Sequence, residues 1–130
     1  MVGLIWFVQV VHYPLMGRVG RDLFPPYAKA HSRLTSRVVG PPMLLEAATA
    51  ALLIPLRPDG VPLSYALLGA ALLAGVWLST ALLQVPRHTA LGRGFDRSEH
   101  RRLVATNWLR TALWSLRGLL VLAMLHAALG

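Results

Sequence analysis

The chain has 130 residues, 55% of them hydrophobic and only 14% charged, with a net charge of +8 and no cysteine. The lack of cysteine excludes disulfides, thiolate nucleophiles, iron–sulfur clusters and covalently attached c-type haem. So few charges cannot solvate this much apolar sequence, and the basic residues gather in two loops with no basic groove or nucleic-acid motif, so the expected partner is a lipid bilayer and not nucleic acid.

Val2 to Met16 is the first apolar run and reads as a span over 2–16. No basic residue precedes it and no small-residue cleavage site follows, so it does not read as a signal peptide. A full crossing needs roughly 20 residues. Either this helix is partly interfacial, or the true start lies upstream of Met1. Gln9, His12 and Met16 share one face, and Pro14 bends or ends the helix.

The connector from Gly17 to Gly40 sets Arg18, Arg21, Lys29, Arg33 and Arg37 against one acid, Asp22. Pro25-Pro26 can start a short helix with Tyr27, His31, Leu34 and Val38 in a stripe and the arginines off it. That pattern predicts an amphipathic helix on the membrane surface. Gly40-Pro41-Pro42 should break it and open a second span over 41–56, which carries Glu46 as its lone acid. Pro55, Pro58, Gly60 and Pro62 then make a tight turn in which Arg57 offsets Asp59.

The third span, 63–86, has two rows of small residues, Ala66-Ala70-Ala74 and Ala71-Gly75-Ser79, suited to close helix packing in lipid. Thr80, Gln84 and His88 follow at i+4 steps, and Pro86 predicts a kink within that stripe. A second basic loop, 87–102, leads to Asp96 or Ser98 as a helix cap. In the fourth span, 102–128, Asn107, Arg110, Thr111, Trp114 and Gly118 fall on one side at about 100° per residue, with Arg117 at the edge.

The expected architecture is thus all-α: an integral membrane four-helix bundle in a single domain, with the short surface helix between spans 1 and 2. Both basic loops lie on one side of four spans, which the positive-inside rule makes cytoplasmic, in the plasma membrane, with the 57–62 turn outside.

That topology gathers Gln9, His12, Glu46, Thr80, Gln84, His88, Asn107 and Arg110 into one polar layer, with His31 above it. Glu46 lies about 8 Å in from Pro41 and Arg110 about 12 Å in from Arg102, at about 1.5 Å per residue. The two are expected to pair, either as a structural lock on helix register or as part of a site. Arg117, about 10 Å deeper, needs another partner, Thr49 or helix carbonyls. His12, His31, His88 and Glu46 make a ligand set suited to iron, copper or zinc, and haem between His12 and His88 is also allowed. The opposing reading of each histidine is a satisfied interior side chain with no chemistry.

Four segments carry a family likeness: His12-Tyr13-Pro14-Leu15, Tyr27 to Arg33, Val85-Pro86-Arg87-His88-Thr89-Ala90-Leu91, and Asn107-Trp108-Leu109-Arg110-Thr111. Together they resemble the anthrone oxygenase-like family of small four-helix membrane proteins. In that family a Val/Ile-Pro-x-Asn/His-x-x-Leu element ends the third helix, matched by Val85, Pro86, His88 and Leu91, and a Trp/Asn…Arg-Thr element opens the fourth, matched by Asn107, Arg110 and Thr111. Where relatives often carry Asn, this chain has His88. The resemblance implies cofactor-poor oxygenation of an anthrone to an anthraquinone.

Two functions follow as expectations. One is a membrane oxidoreductase acting on an aromatic or quinone-like lipophile, in which His12 or His88 accepts a proton and Arg110 and Asn107 hold an oxyanion. Gln9, Glu46, Thr80, Gln84, Thr111, Trp114 and Arg117 would line or brace that pocket. The other is a non-catalytic bundle, a partner subunit or small transport or binding protein, whose polar layer is structural.

Overall fold

The structure, a computed structural model, describes residues 1–129, and these fold as four helices without strands. We label them α1 (Val2–Met16), α2 (Phe24–Leu53), α3 (Leu63–Leu91) and α4 (Arg97–Leu129). Helix α4 is the spine: it packs most extensively against α3, and α1 lies along it. Helix α2 comes close to α3 through its backbone and reaches α1 and α4 through side chains.

Two helices, α3 and α4, are long and apolar enough to cross a membrane. Their apolar stretches are mostly not buried by the bundle: 28% of the most apolar segment of α3 and 11% of that of α4 are buried. A core helix of a water-soluble protein would be largely covered. Helix α1 is apolar but short for a crossing, and the first half of α2 carries Lys29, Arg33 and Arg37.

The expected break at Gly40-Pro41-Pro42 does not occur, and the surface helix and second span are one continuous helix with both prolines inside it. Each interior proline removes a backbone hydrogen bond, at a cost of about 3 kcal/mol. Burial on either side of the prolines offsets that cost: Phe24, Ala28 and His31 before them, Met43 and Ala50 after.

Helices α1 and α3 each contain one π-turn, over Val8–His12 and Thr80–Gln84. Both turns stop two residues short of a proline, Pro14 and Pro86. Proline supplies no N–H to the ladder, and in each case the preceding residue reaches back five positions, Tyr13 to the Val8 carbonyl and Val85 to that of Thr80. The kink expected at Pro86 is therefore a widened turn ahead of it.

The core has two parts. Ile5, Met43, Ala50, Leu73, Val76 and Trp114 fill the middle of the bundle. Tyr13, Met16, Phe24, Ala28, Leu91 and Leu103 fill the end nearest the basic loops. Helices approach closely at small residues: Ala66 and Ser79 of the two rows are buried, a Cβ at Gly75 would stand 3.2 Å from Leu113, and one at Gly118 2.9 Å from Val2. Asp96 caps α4, its Oδ1 accepting from the Glu99 N–H at 2.8 Å.

Candidate functional site

The residues with chemistry to offer converge beside the π-turns. Such turns are frequent at functional sites because the extra residue re-aims the side chains around it. Here they present Gln9 and His12 from α1, and Thr80 and Gln84 from α3.

Three histidines and a tyrosine form a row across three helices. His12 Nε2 and His31 Nδ1 are 2.9 Å apart, their rings stacked at 4.6 Å. His31 faces His88 at 5.3 Å between ring centres. His88 Nε2 is in turn 2.9 Å from the Tyr13 hydroxyl. Between two neutral imidazoles only one of the facing nitrogens carries hydrogen, so the His12–His31 bond has a direction that a proton can reverse. Thr35 Oγ1, one turn on from His31, also touches its Nδ1 at 3.1 Å. Burial, reinforced by His12 beside it, brings the pKa of His31 down to about 4. It is thus a neutral imidazole at physiological pH, and its Nε2 is buried without a protein partner.

A cavity of about 530 Å³ opens between α2 and α3, with His31 and His88 in its wall and Ser32, Thr35 and Thr89 among its polar groups. That volume suits a small organic ligand. Smaller spaces border His12 and His31 on the α1 side, so the histidine row separates two accessible regions.

Below the row lies a layer of hydrogen-bonded polar side chains. Gln9 donates to the Val104 carbonyl at 3.2 Å and accepts from Asn107 Nδ2 at 2.8 Å. Gln84 donates to Thr106 Oγ1 at 3.0 Å. Thr111 and Thr80 turn back on their own helices, to the carbonyls of Asn107 and Val76. Asn107 Oδ1, Gln84 Oε1 and Arg110 Nε are buried without a protein partner. An unsatisfied buried polar atom costs about 1–3 kcal/mol, so several together are a substantial fraction of a fold's stability, unless a guest or solvent satisfies them.

The expected Glu46–Arg110 ion pair is not formed. Among the described residues the sole ion pair is Arg102 with Glu99 at 3.2 Å. Glu46 Oε2 instead accepts from Trp114 Nε1 at 2.9 Å. Arg110, only 8% exposed, lies with its guanidinium 5.3 Å from the centre of the Trp114 ring, a cation–π contact. Trp114 stands one helical turn beyond Arg110 on α4, so the carboxylate meets the indole and not the guanidinium. Arg117 does find a helix carbonyl, donating to Gly69 at 2.7 Å.

The expected metal set is also divided. Among the described residues no three His, Cys, Asp or Glu side chains are grouped to hold a metal ion. Glu46 is committed to Trp114 in the middle of the bundle, while the histidines bond each other and Tyr13.

Four contributors escape a reading by helical phase. Tyr13, 3% exposed, is the direct partner of His88; its spacing of four from Gln9 is the signal that it shares that inward face. Thr35 stands four after His31 in the same way, and Thr106 adjoins Asn107. His100 donates Nε2–H to the Tyr13 carbonyl at 2.8 Å, a carbonyl in the last turn of α1 that lacks a helical donor. Its ring fits because position 17 is glycine: a Cβ there would stand 2.9 Å from His100.

Compared with family models, curated proteins and solved structures, the chain matches none.

Proposed function

We propose that this is an integral membrane enzyme that takes a proton from an acidic aromatic lipophile, a phenol or enolisable ketone, as the first step of its oxidation. The observation that carries the reading is the row Tyr13–His88–His31–His12 at the wall of a ligand-sized cavity. His88 is the acceptor nearest both the cavity and Tyr13, and the Tyr13 hydroxyl steadies it. His31 and His12 carry the proton toward the α1 side. Arg110, a guanidinium without an acid partner, lies behind the cavity lining and not in it, and its positive charge acts on the remaining oxyanion from there. In this reading the apolar lengths of the helices lie in the bilayer, as the exposed apolar faces of α3 and α4 support. The first half of α2, with Lys29, Arg33 and Arg37, lies at the bilayer's cytoplasmic surface beside the other basic loop.

The anthrone resemblance supplies a reaction of this kind. An anthrone methylene loses two hydrogens and gains one oxygen atom of dioxygen, and the second oxygen leaves as water. Deprotonation comes first and gives a phenolate-like carbanion that dioxygen can oxidise. No metal ligand set is needed for that step.

The test is anthrone-dependent dioxygen uptake by the protein purified into lipid nanodiscs. Uptake above empty discs that falls with His88→Ala and Tyr13→Phe supports the reading. Uptake equal to empty discs, with the fold intact by circular dichroism, would reject it in favour of a bundle whose polar pairs serve only to hold its helices together.

A further inference from the structure

Two cations at the rim of the α2–α3 cavity have no role in the fold or in the proton row. Lys29 on α2 and Arg93 just beyond α3 line the cavity on the same side as Ser32 and Ser36. No acidic residue lines it. Neither cation takes part in an ion pair, since the sole pair among the described residues is Arg102–Glu99. The Lys29 stem passes Gly92, its Cγ 3.9 Å from where a Cβ would stand, and Gly92 is the chain neighbour of Arg93. The rings of His31 and His88, 5.3 Å apart, line the same cavity. The cavity therefore has a cationic, hydroxyl-rich mouth above an aromatic floor.

We infer that the ligand of this cavity is an aromatic carboxylic acid, its carboxylate held by Lys29 and Arg93 and its ring system against His31 and His88. The inference deepens the proposed function and rests on it only for the identity of the cavity as the substrate site. Charge complementarity selects the class: two cations and no acid line the cavity, so a carboxylate gains charge-assisted hydrogen bonds there that a neutral aromatic cannot. Lysine and arginine side chains at a membrane face also draw acidic amphiphiles toward the mouth before they descend.

The experiment is fluorescence binding of 9-anthracenecarboxylate and of neutral 9-anthracenemethanol to the full chain in phosphatidylcholine nanodiscs, corrected for empty discs. The acid should bind the more tightly. Its affinity should fall about threefold with Lys29→Gln or Arg93→Gln and about tenfold with both, as for partly screened charge pairs. Added salt should weaken the acid and not the alcohol. Equal binding of acid and alcohol, or variants that lower thermal stability without changing acid affinity, would overturn the inference. Displacement of the acid by anionic phosphatidylglycerol, added at about a third of the lipid, would likewise overturn it and make the mouth a lipid headgroup site. Binding is read without turnover. Charge-dependent acid binding with no dioxygen uptake would thus retire the proposed reaction and leave this inference standing.

Discussion

At the basic end of the bundle the helices meet through histidine, tyrosine, glutamine and asparagine, and two of them widen into π-turns there. At the far end, around the 54–62 turn, they meet through Ala50, Val61 and Met124, with one cation, Arg117, at the wall of an apolar cleft. Each end holds an arginine from α4, and the two arginines are treated differently. Arg117 donates to the carbonyl of Gly69, where the absence of a Cβ lets the guanidinium approach; a Cβ would lie 3.0 Å from its Nη1. Arg110 has an aromatic face beside it and a buried Nε with no partner. The contrast separates a guanidinium that the fold supplies with a carbonyl acceptor from one that has only an aromatic face beside it.

The sharpest way to break the comparison is to ask whether the ends face opposite sides of a membrane. With no native cysteine, a single introduced Cys reports alone. Gly94 has open space around it and suits the basic end. Gly60 does not suit the other, because its φ is 86° and a Cβ there would stand 2.5 Å from the Ala127 carbonyl. Asp59→Cys should be labelled by an impermeant maleimide in intact cells and Gly94→Cys should not; labelling of both, or the reverse pattern, refutes the orientation.

Next in size is turnover. His88→Ala should lower anthrone-dependent dioxygen uptake about 100-fold or more, the usual contribution of a positioned base. Arg117→Met should leave uptake within about twofold and cost about 1 kcal/mol of stability through its lost hydrogen bond. Matching losses of activity in the two variants would erase the distinction between the ends.

A smaller effect concerns the middle of the bundle. In a double-mutant cycle read by thermal stability in detergent, Glu46→Gln and Trp114→Phe should couple by about 1–2 kcal/mol. Glu46→Gln with Arg110→Met should couple by less. Stronger coupling to Arg110 would restore the ion pair that the structure lacks.

The mildest prediction is one of pH. Folding holds His31 neutral down to about 4, while the unfolded chain takes up its proton near the ordinary 6.5. The unfolded state therefore binds more protons between those values, and stability falls as pH drops from 6.5 toward 4. His31→Gln should flatten that part of the melting profile; an unchanged slope would show that other groups set it.

Much of the architecture is written in the apolar runs. Helices α3 and α4, the inward face of Asn107, Arg110, Thr111 and Trp114, and the cap at Asp96 all follow from hydrophobic periodicity and cap chemistry. The failures share one cause, which is that each local rule was applied as though the helix around it were ideal. A Gly-Pro-Pro run normally ends a helix, yet α2 is anchored on both sides of it and continues. Glu46, beyond the prolines, meets Trp114 and not Arg110. Tyr13 shares the inward face of Gln9 by its spacing of four, but its partner His88 is on another helix, and no helix's own phase names a partner across the bundle.

Those two turns make the protein unusual in how it should respond to losing a residue. Deleting one position from an α-helix rotates everything beyond it and is normally ruinous. Deleting Val10 or Leu82, both on the outer surface, would instead let the ladder close into a regular α-helix, with the flanking segments kept near their present phase. Such a shortened protein should fold as well as its parent or better, while Gln9 and His12, or Gln84, lose the aim that the widened turn gives them. Irregularity here is a property that can be edited out, and what disappears with it would separate the demands of catalysis from those of folding.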